Sequence, residues 1–134
     1  MTVIEAVQYV LENDAALAAA VAAGNIRAPG PWESLERPFI VHYPSALVPR
    51  REHGKTPVGI LWSYEVSIFA DTIANGEEIA ALVVSALDGT KPLDSPITLY
   101  LKSQWQSGTY YMGRNDEEGV EHFALQFQIS KALA

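Results

Sequence analysis

The chain has no cysteine, which excludes disulfides, thiolate zinc sites and thiol catalysis. Basic residues are also few, nine Lys and Arg against sixteen Asp and Glu, for a formal net charge of −7. That balance argues against a broad phosphate-binding surface, because nucleic-acid affinity comes mostly from clustered Lys and Arg. No apolar run approaches the ~18 residues of a membrane span, so no transmembrane helix is expected. The Ala-rich start lacks a basic region and carries Glu5, Glu12 and Asp14, which is not a secretory-signal pattern. The cytoplasm is then the default compartment. What is present is a chain of 134 residues with 49% hydrophobic content. That suits a single domain over 1–134, burying roughly 68% of the surface its unfolded form exposes.

Motifs that carry chemistry are equally scarce. Of His42, His53 and His122, no two stand at the three- or four-residue spacing of a helical metal pair, and no acidic loop has calcium-site spacing. His42 and His122 read as sheet-surface residues and His53 as a solvated loop residue. Gly108 and Gly113 lack the lysine and following helix of a phosphate loop. Ser63, Ser67 and Ser85 have no evident base partner. A general acid needs a carboxylate held in an apolar pocket, and only Glu65 or Asp71 on a long strand is a candidate. No catalytic, cofactor-binding or metal residue is expected.

The hydrophobic pattern is informative. Thr2 and Glu5 have capping-box spacing before an apolar stripe of Val3, Val7, Val10, Leu17 and Val21, which predicts a helix from Val3 to Ala23 stopped by Gly24. A short strand over Asn25–Ala28 and a strand over Phe39–Tyr43 follow. Residues 45–59, with two prolines and four basic or imidazole groups, read as a long polar loop. Leu61–Asp71 alternates strictly, with Trp62, Tyr64, Val66, Ile68 and Ala70 on one face. A second helix is predicted over Gly76–Leu87, capped by Asn75, with Glu77 and Glu78 at the positive end of its dipole. Ile97–Trp105 and Val120–Ser130 alternate again, joined by 106–119, which reads either as an extended hairpin arm or as a loop. The order α-β-β-β-α-β-β predicts an α+β fold: a mainly antiparallel sheet of four to five strands with two helices on one face.

Candidate contact residues lie outside the core faces. Arg50, Arg51, His53 and Lys55 form one basic cluster, which reads either as a solvated loop or as an arm for docking an acidic surface. Asp116, Glu117 and Glu118 form an acidic counterpart. Trp105, Tyr110 and Tyr111 lie in or beside loops, as does Trp32, where large aromatics often mark contact surfaces.

Several segments together resemble the small tail-terminator, or tail-completion, proteins of long-tailed bacteriophages and prophages. They are the helix end Leu17–Gly24 with its Leu-x-x-x-Val-x-x-Gly pattern, the Pro38–Val41 strand and the strand Tyr64–Asp71. The helix Glu78–Leu87 and the closing strand His122–Ile129 complete the pattern. The resemblance implies an α+β virion subunit that assembles, typically as a hexameric ring, on the last ring of tail-tube protein. Such a ring stops tube polymerisation and offers a surface to head-completion proteins. It implies no cofactor, no catalytic residue, assembly in the host cytoplasm, and DNA only as a passenger through the lumen. A head-tail joining protein would differ in partner alone. A ligand-binding or enzymatic domain would instead use the sheet face opposite the helices, with Glu65, Tyr100, Gln104, Gln126 and Gln128; a concave pocket there would favour that class.

Overall fold

The computed structural model describes residues 2–29, 36–52, 56–88, 101–106 and 111–132. Helix α1 spans Val3–Asn13, and Thr2 caps it, its hydroxyl accepting from the Glu5 amide at 3.1 Å. The single helix expected to Ala23 is in fact two. Asp14 adopts an extended conformation, ends α1 and caps α2 (Ala15–Ala20), its carboxylate accepting from Leu17 N–H at 2.9 Å. A side chain that bonds local amides competes with continuation of the helix, and here it outweighs the alanines around it. Gly24 does not take the left-handed stop conformation; it lies inside a single 3-10 turn, Ala23–Asn25.

Strand β1 (Ile26–Arg27) pairs parallel with β2 (Phe39–Glu52), so the sheet is mixed rather than purely antiparallel. β2 forms a long antiparallel hairpin with β3 (Thr56–Ala70). This overturns the reading of 45–59 as a loop, because its described residues, 45–52 and 56–59, are all strand. Beyond Val41, β2 has no further pairing to β1, so Pro44 and Pro49 sit on a sheet edge where a missing amide donor costs little, and register shifts follow Pro44 and Arg50. β3 continues to β6 (Val120–Ala132), whose other edge carries β4 (Leu101–Gln106) and β5 (Tyr111–Asn115) end to end. The six strands run β1-β2-β3-β6-β4, with β5 beside β6. The expected strand start at 97–100 lies outside the described residues.

Of the connection expected as arm or loop, the described part, 111–119, forms a hairpin with β6. Residues 116–119 turn, Gly119 N–H bonds the Asn115 carbonyl at 2.8 Å, and Gly113 and Gly119 take positive φ of 113° and 69° that side chains avoid.

Helix α3 runs Ile73–Leu87 and is capped by Thr72, whose hydroxyl accepts from Asn75 N–H at 3.1 Å. Asn75 is therefore inside the helix and Glu77 and Glu78 stand beyond its first turn, three residues further in than expected. Gly76 looked like a helix start but is a packing residue: a Cβ there would lie 2.3 Å from Phe123 Cε2.

The three helices cover one sheet face. Ile26, Ile40, Tyr64, Val66, Ile68, Phe123, Leu125, Phe127 and Ile129 from the sheet pack with Val7, Leu11, Leu17, Ile79 and Val83 from the helices. His42 belongs to this face, not to the sheet surface as expected, and is fully buried. Its Nδ1 lies 2.6 Å from the Tyr64 hydroxyl and its Nε2 bonds the Gln8 Oε1. Because Gln8 Nε2 donates to the Ile26 carbonyl at 2.7 Å, Gln8 Oε1 accepts, so His42 carries its proton on Nε2 and accepts from Tyr64. Burial holds the His42 pKa down at about 4 and pushes the Tyr64 phenol up.

Candidate functional site

The other face of the sheet has no helix against it among the described residues. Strand pairing aligns Phe39 with Phe69 and Phe69 with His122, and the rings stack as a ladder across three strands. Centroids lie 4.7 Å apart for Phe39–Phe69 and 4.4 Å apart for Phe69–His122, with interplanar angles of 17° and 10°. Four residues along the strands, the same pairing aligns Tyr43, Glu65 and Gln126. The Tyr43 hydroxyl and the Ser67 hydroxyl donate to Glu65 Oε2, and Gln126 Nε2 donates to Oε1 at 2.6 Å. The carboxylate pushes the Tyr43 phenol up to about 12, chiefly by accepting its hydrogen bond.

Between these two rows lies a cavity of about 790 Å³, lined by Arg37, Phe39, Val41, Tyr43, Glu65, Ser67, Phe69, Glu118, Val120 and His122. Its rim is fastened by Arg37, whose Nε pairs with Asp71 at 2.7 Å and whose Nη1 donates to the Glu118 carbonyl at 3.0 Å. His122 Nε2 is buried in this wall and has no hydrogen-bond partner. Desolvation lowers the His122 pKa, and Glu65 partly offsets this. Among the described residues, no group of three or more His, Asp and Glu is arranged to hold a metal ion.

The expected contact residues divide between the two ends of the sheet. At one end, Tyr111 donates to Glu121 at 2.6 Å, its ring sits 5.2 Å from Phe123, and it remains 39% exposed. Arg114 binds Glu121 at 2.8 Å and Asp116 at 3.3 Å. Hydrogen bonds from Tyr111 and Arg114 lower the Glu121 pKa. Glu117 and Glu118 donate their amides to Asn115 Oδ1, leaving both residues exposed in the turn. At the other end, Arg50 and Arg51 lie opposite Gly59 and Pro57 in the outer part of the hairpin. Trp105 is on β4, opposite Phe127 in register. His53, Lys55, Tyr110, Trp32 and Tyr100 lie outside the described residues. The Glu65 and Gln126 pairing matches the polar row expected on the open face, and β4 brings Gln104 opposite Gln128. Sequence reasoning missed the ladder of Phe39, Phe69 and His122, and Arg37 with them. Odd-numbered positions of β2 and β3 were the available signal.

No family model matches the sequence, and no curated protein matches it either. Solved structures do. The fold is similar to that of a chain in the structure titled "Virion of native gene transfer agent (GTA) particle", with a TM-score of 0.76 at 20% identity, over 98% of this chain and 95% of that one. It is also similar to that of the protein in "Structure of bacteriophage SPP1 gp17 protein", with a TM-score of 0.50 at 20% identity, over 97% and 87%. The likeness is one of fold, and it spans nearly the whole chain.

Proposed function

We propose that this chain is a virion structural protein of the long-tailed phage type. It acts by interface geometry, as a ring that caps the tail tube, stops its polymerisation and forms the tail side of the head-tail joint. The observation that carries this reading is the likeness of fold, over 98% of the chain, to a subunit of a particle described as a virion. The similarity to the phage SPP1 protein supports the same class. In such a ring, a hexamer, the chain's partners are further copies of itself, the tail-tube protein and a head-completion protein, with DNA passing through an acidic lumen. No enzymatic step is part of this reading, and the subunit acts in the virion after assembly in the host cytoplasm.

Charge placement fits head-to-tail contacts repeated by rotation, the kind that close a ring. Arg50, Arg51, Lys102 and Lys131 fall at one end of the sheet by register, and Asp71, Asp116, Glu117 and Glu118 at the other. Exposed charge pairs are screened over roughly 8 Å at physiological ionic strength, so ring assembly should weaken as salt rises. Light scattering over concentration and salt tests this: a salt-sensitive ring supports the reading, and association that strengthens with salt counts against it. A ligand-binding reading is favoured by one observation, the concave cavity beside Glu65. Saturable binding of a small metabolite there by a chain that never assembles would select it instead.

A further inference from the structure

The open-face cavity holds an uncompensated charge. Glu65 accepts from Tyr43, Ser67 and Gln126, all neutral, and no Lys or Arg among the described residues pairs with it. The one Lys or Arg among the residues lining the cavity, Arg37 at the rim, is already engaged by Asp71 and the Glu118 carbonyl. A carboxylate beside an apolar ring wall interacts more strongly with an opposite charge than one in water. Beside it, the buried His122 Nε2 lacks a partner, and a neutral imidazole can accept there. The cavity is thus rich in acceptors and flat-walled, which suits a planar guanidinium with several N–H donors better than a compact ammonium.

The chain carries such groups at the opposite end of the same sheet. Arg50 stands seven residues beyond Tyr43 on β2, which stays paired with β3 past that point apart from the bulge after Pro44, and seven residues are about 23 Å along a strand. It therefore cannot fold back into its own cavity. The arginines Arg27, Arg37 and Arg114 are each bonded within their own chain; the two other arginines of the sequence, Arg50 and Arg51, stand together on the outer hairpin.

We propose that the cavity formed by Glu65, His122 and the Phe39–Phe69 wall is a socket for the Arg50 or Arg51 guanidinium of a second copy of this chain. Socket and arm lie at opposite ends of one sheet, so the contact is heterologous and propagates head to tail. The inference rests on the ring reading for the identity of the guest, but not for the chemistry of the socket.

Two experiments separate those parts. The labelled full-length chain is titrated with N-acetyl-arginine amide, N-acetyl-lysine amide or the neutral norleucine analogue, while the His122 ring resonances are followed by NMR. The arginine probe should shift them saturably, the lysine probe more weakly and the neutral probe not at all. In Glu65→Gln, which keeps an acceptor for Tyr43, arginine binding should weaken about tenfold. No shift at His122, or an unchanged affinity in Glu65→Gln, overturns the socket. For the guest, the absence of native cysteine allows chains carrying Arg51→Cys and Glu118→Cys to be mixed under mild oxidation. A mixed disulfide should form in excess of that between Arg51→Cys and the α3 control Ser85→Cys, and excess arginine probe should suppress it. Equal yields, or a chain that never associates, overturn the second copy as guest while the titration still decides the socket.

Discussion

Replacing Gly76 with alanine sets two effects of opposite sign against each other. Alanine is favoured over glycine inside a helix by about 1 kcal/mol. Against this, the new Cβ would stand 2.3 Å from Phe123 Cε2 and 2.7 Å from Cδ2, where ordinary contact begins near 3.4 Å. The ring edge or the helix must therefore retreat by roughly 1 Å in a close-packed interior. Phe123 is 1% exposed and has Tyr111 against it at 5.2 Å, so little free space receives it. Overpacking costs roughly 1–3 kcal/mol, and contacts this short put the cost in the upper part, roughly 2–3 kcal/mol; less the helix gain of about 1 kcal/mol, the net expectation is a loss of about 1–2 kcal/mol. For a chain of this length that lowers Tm by roughly 4–8 °C. Urea unfolding followed by tryptophan fluorescence measures it, with Gly24→Ala as control, since nothing lies within 4 Å of a Cβ there. In a double-mutant cycle, Gly76→Ala with Phe123→Leu should be less damaging than the sum of the single changes by about 1 kcal/mol or more. A Gly76→Ala protein as stable as wild type would refute the argument.

Acid should weaken the fold in a defined window. The unfolded His42 imidazole binds a proton near pH 6.5 while the folded one resists until about 4, so stability falls as pH drops through that range, by about 1.4 kcal/mol for each unit below 6.5 and roughly 3 kcal/mol in all. Denaturant titrations at pH 7.5, 5.5 and 4.5 read this, and stability that is flat between 7.5 and 5.5 contradicts it. Glu121, whose pKa is lowered, contributes stability that is present at neutral pH and is lost only as pH falls through the carboxylate range, so its loss follows that of His42. Asp14→Ala removes the cap of α2 and should cost about 1 kcal/mol; no change in the urea midpoint would mean that α2 needs no cap. Changing His122 or Glu65 should abolish no turnover, and a reproducible hydrolase or transferase activity lost with either residue would sink the structural reading.

Elements whose signal is local were legible in the sequence. Thr2 starts α1 as its spacing predicts, and the alternation of Leu61–Ala70 and Val120–Ile129 marks the core face of β3 and β6 correctly. The errors fell where tertiary context reverses a local cue. Pro44, Pro49, Arg50 and Arg51 are loop-like residues, yet a sheet edge accepts them as strand. Asn75-Gly76 looks like a helix start, yet close approach to Phe123 requires that glycine inside the helix. His42 and His122 both sit in strands, and only their register with Ile40 and Phe123 separates a buried core imidazole from an open-face one. The cavity was the least legible feature, because Phe39, Phe69 and His122 come from three strands and meet only through pairing.

Electron microscopy of tails tests the central claim most directly. Particles assembled with and without this chain in the producing cell would be compared at the head-proximal end of the tube. The account requires a ring of this protein at the end of tubes of uniform length when it is present, and overlong, headless tubes when it is absent. Tubes of normal length that join heads without it would contradict the account.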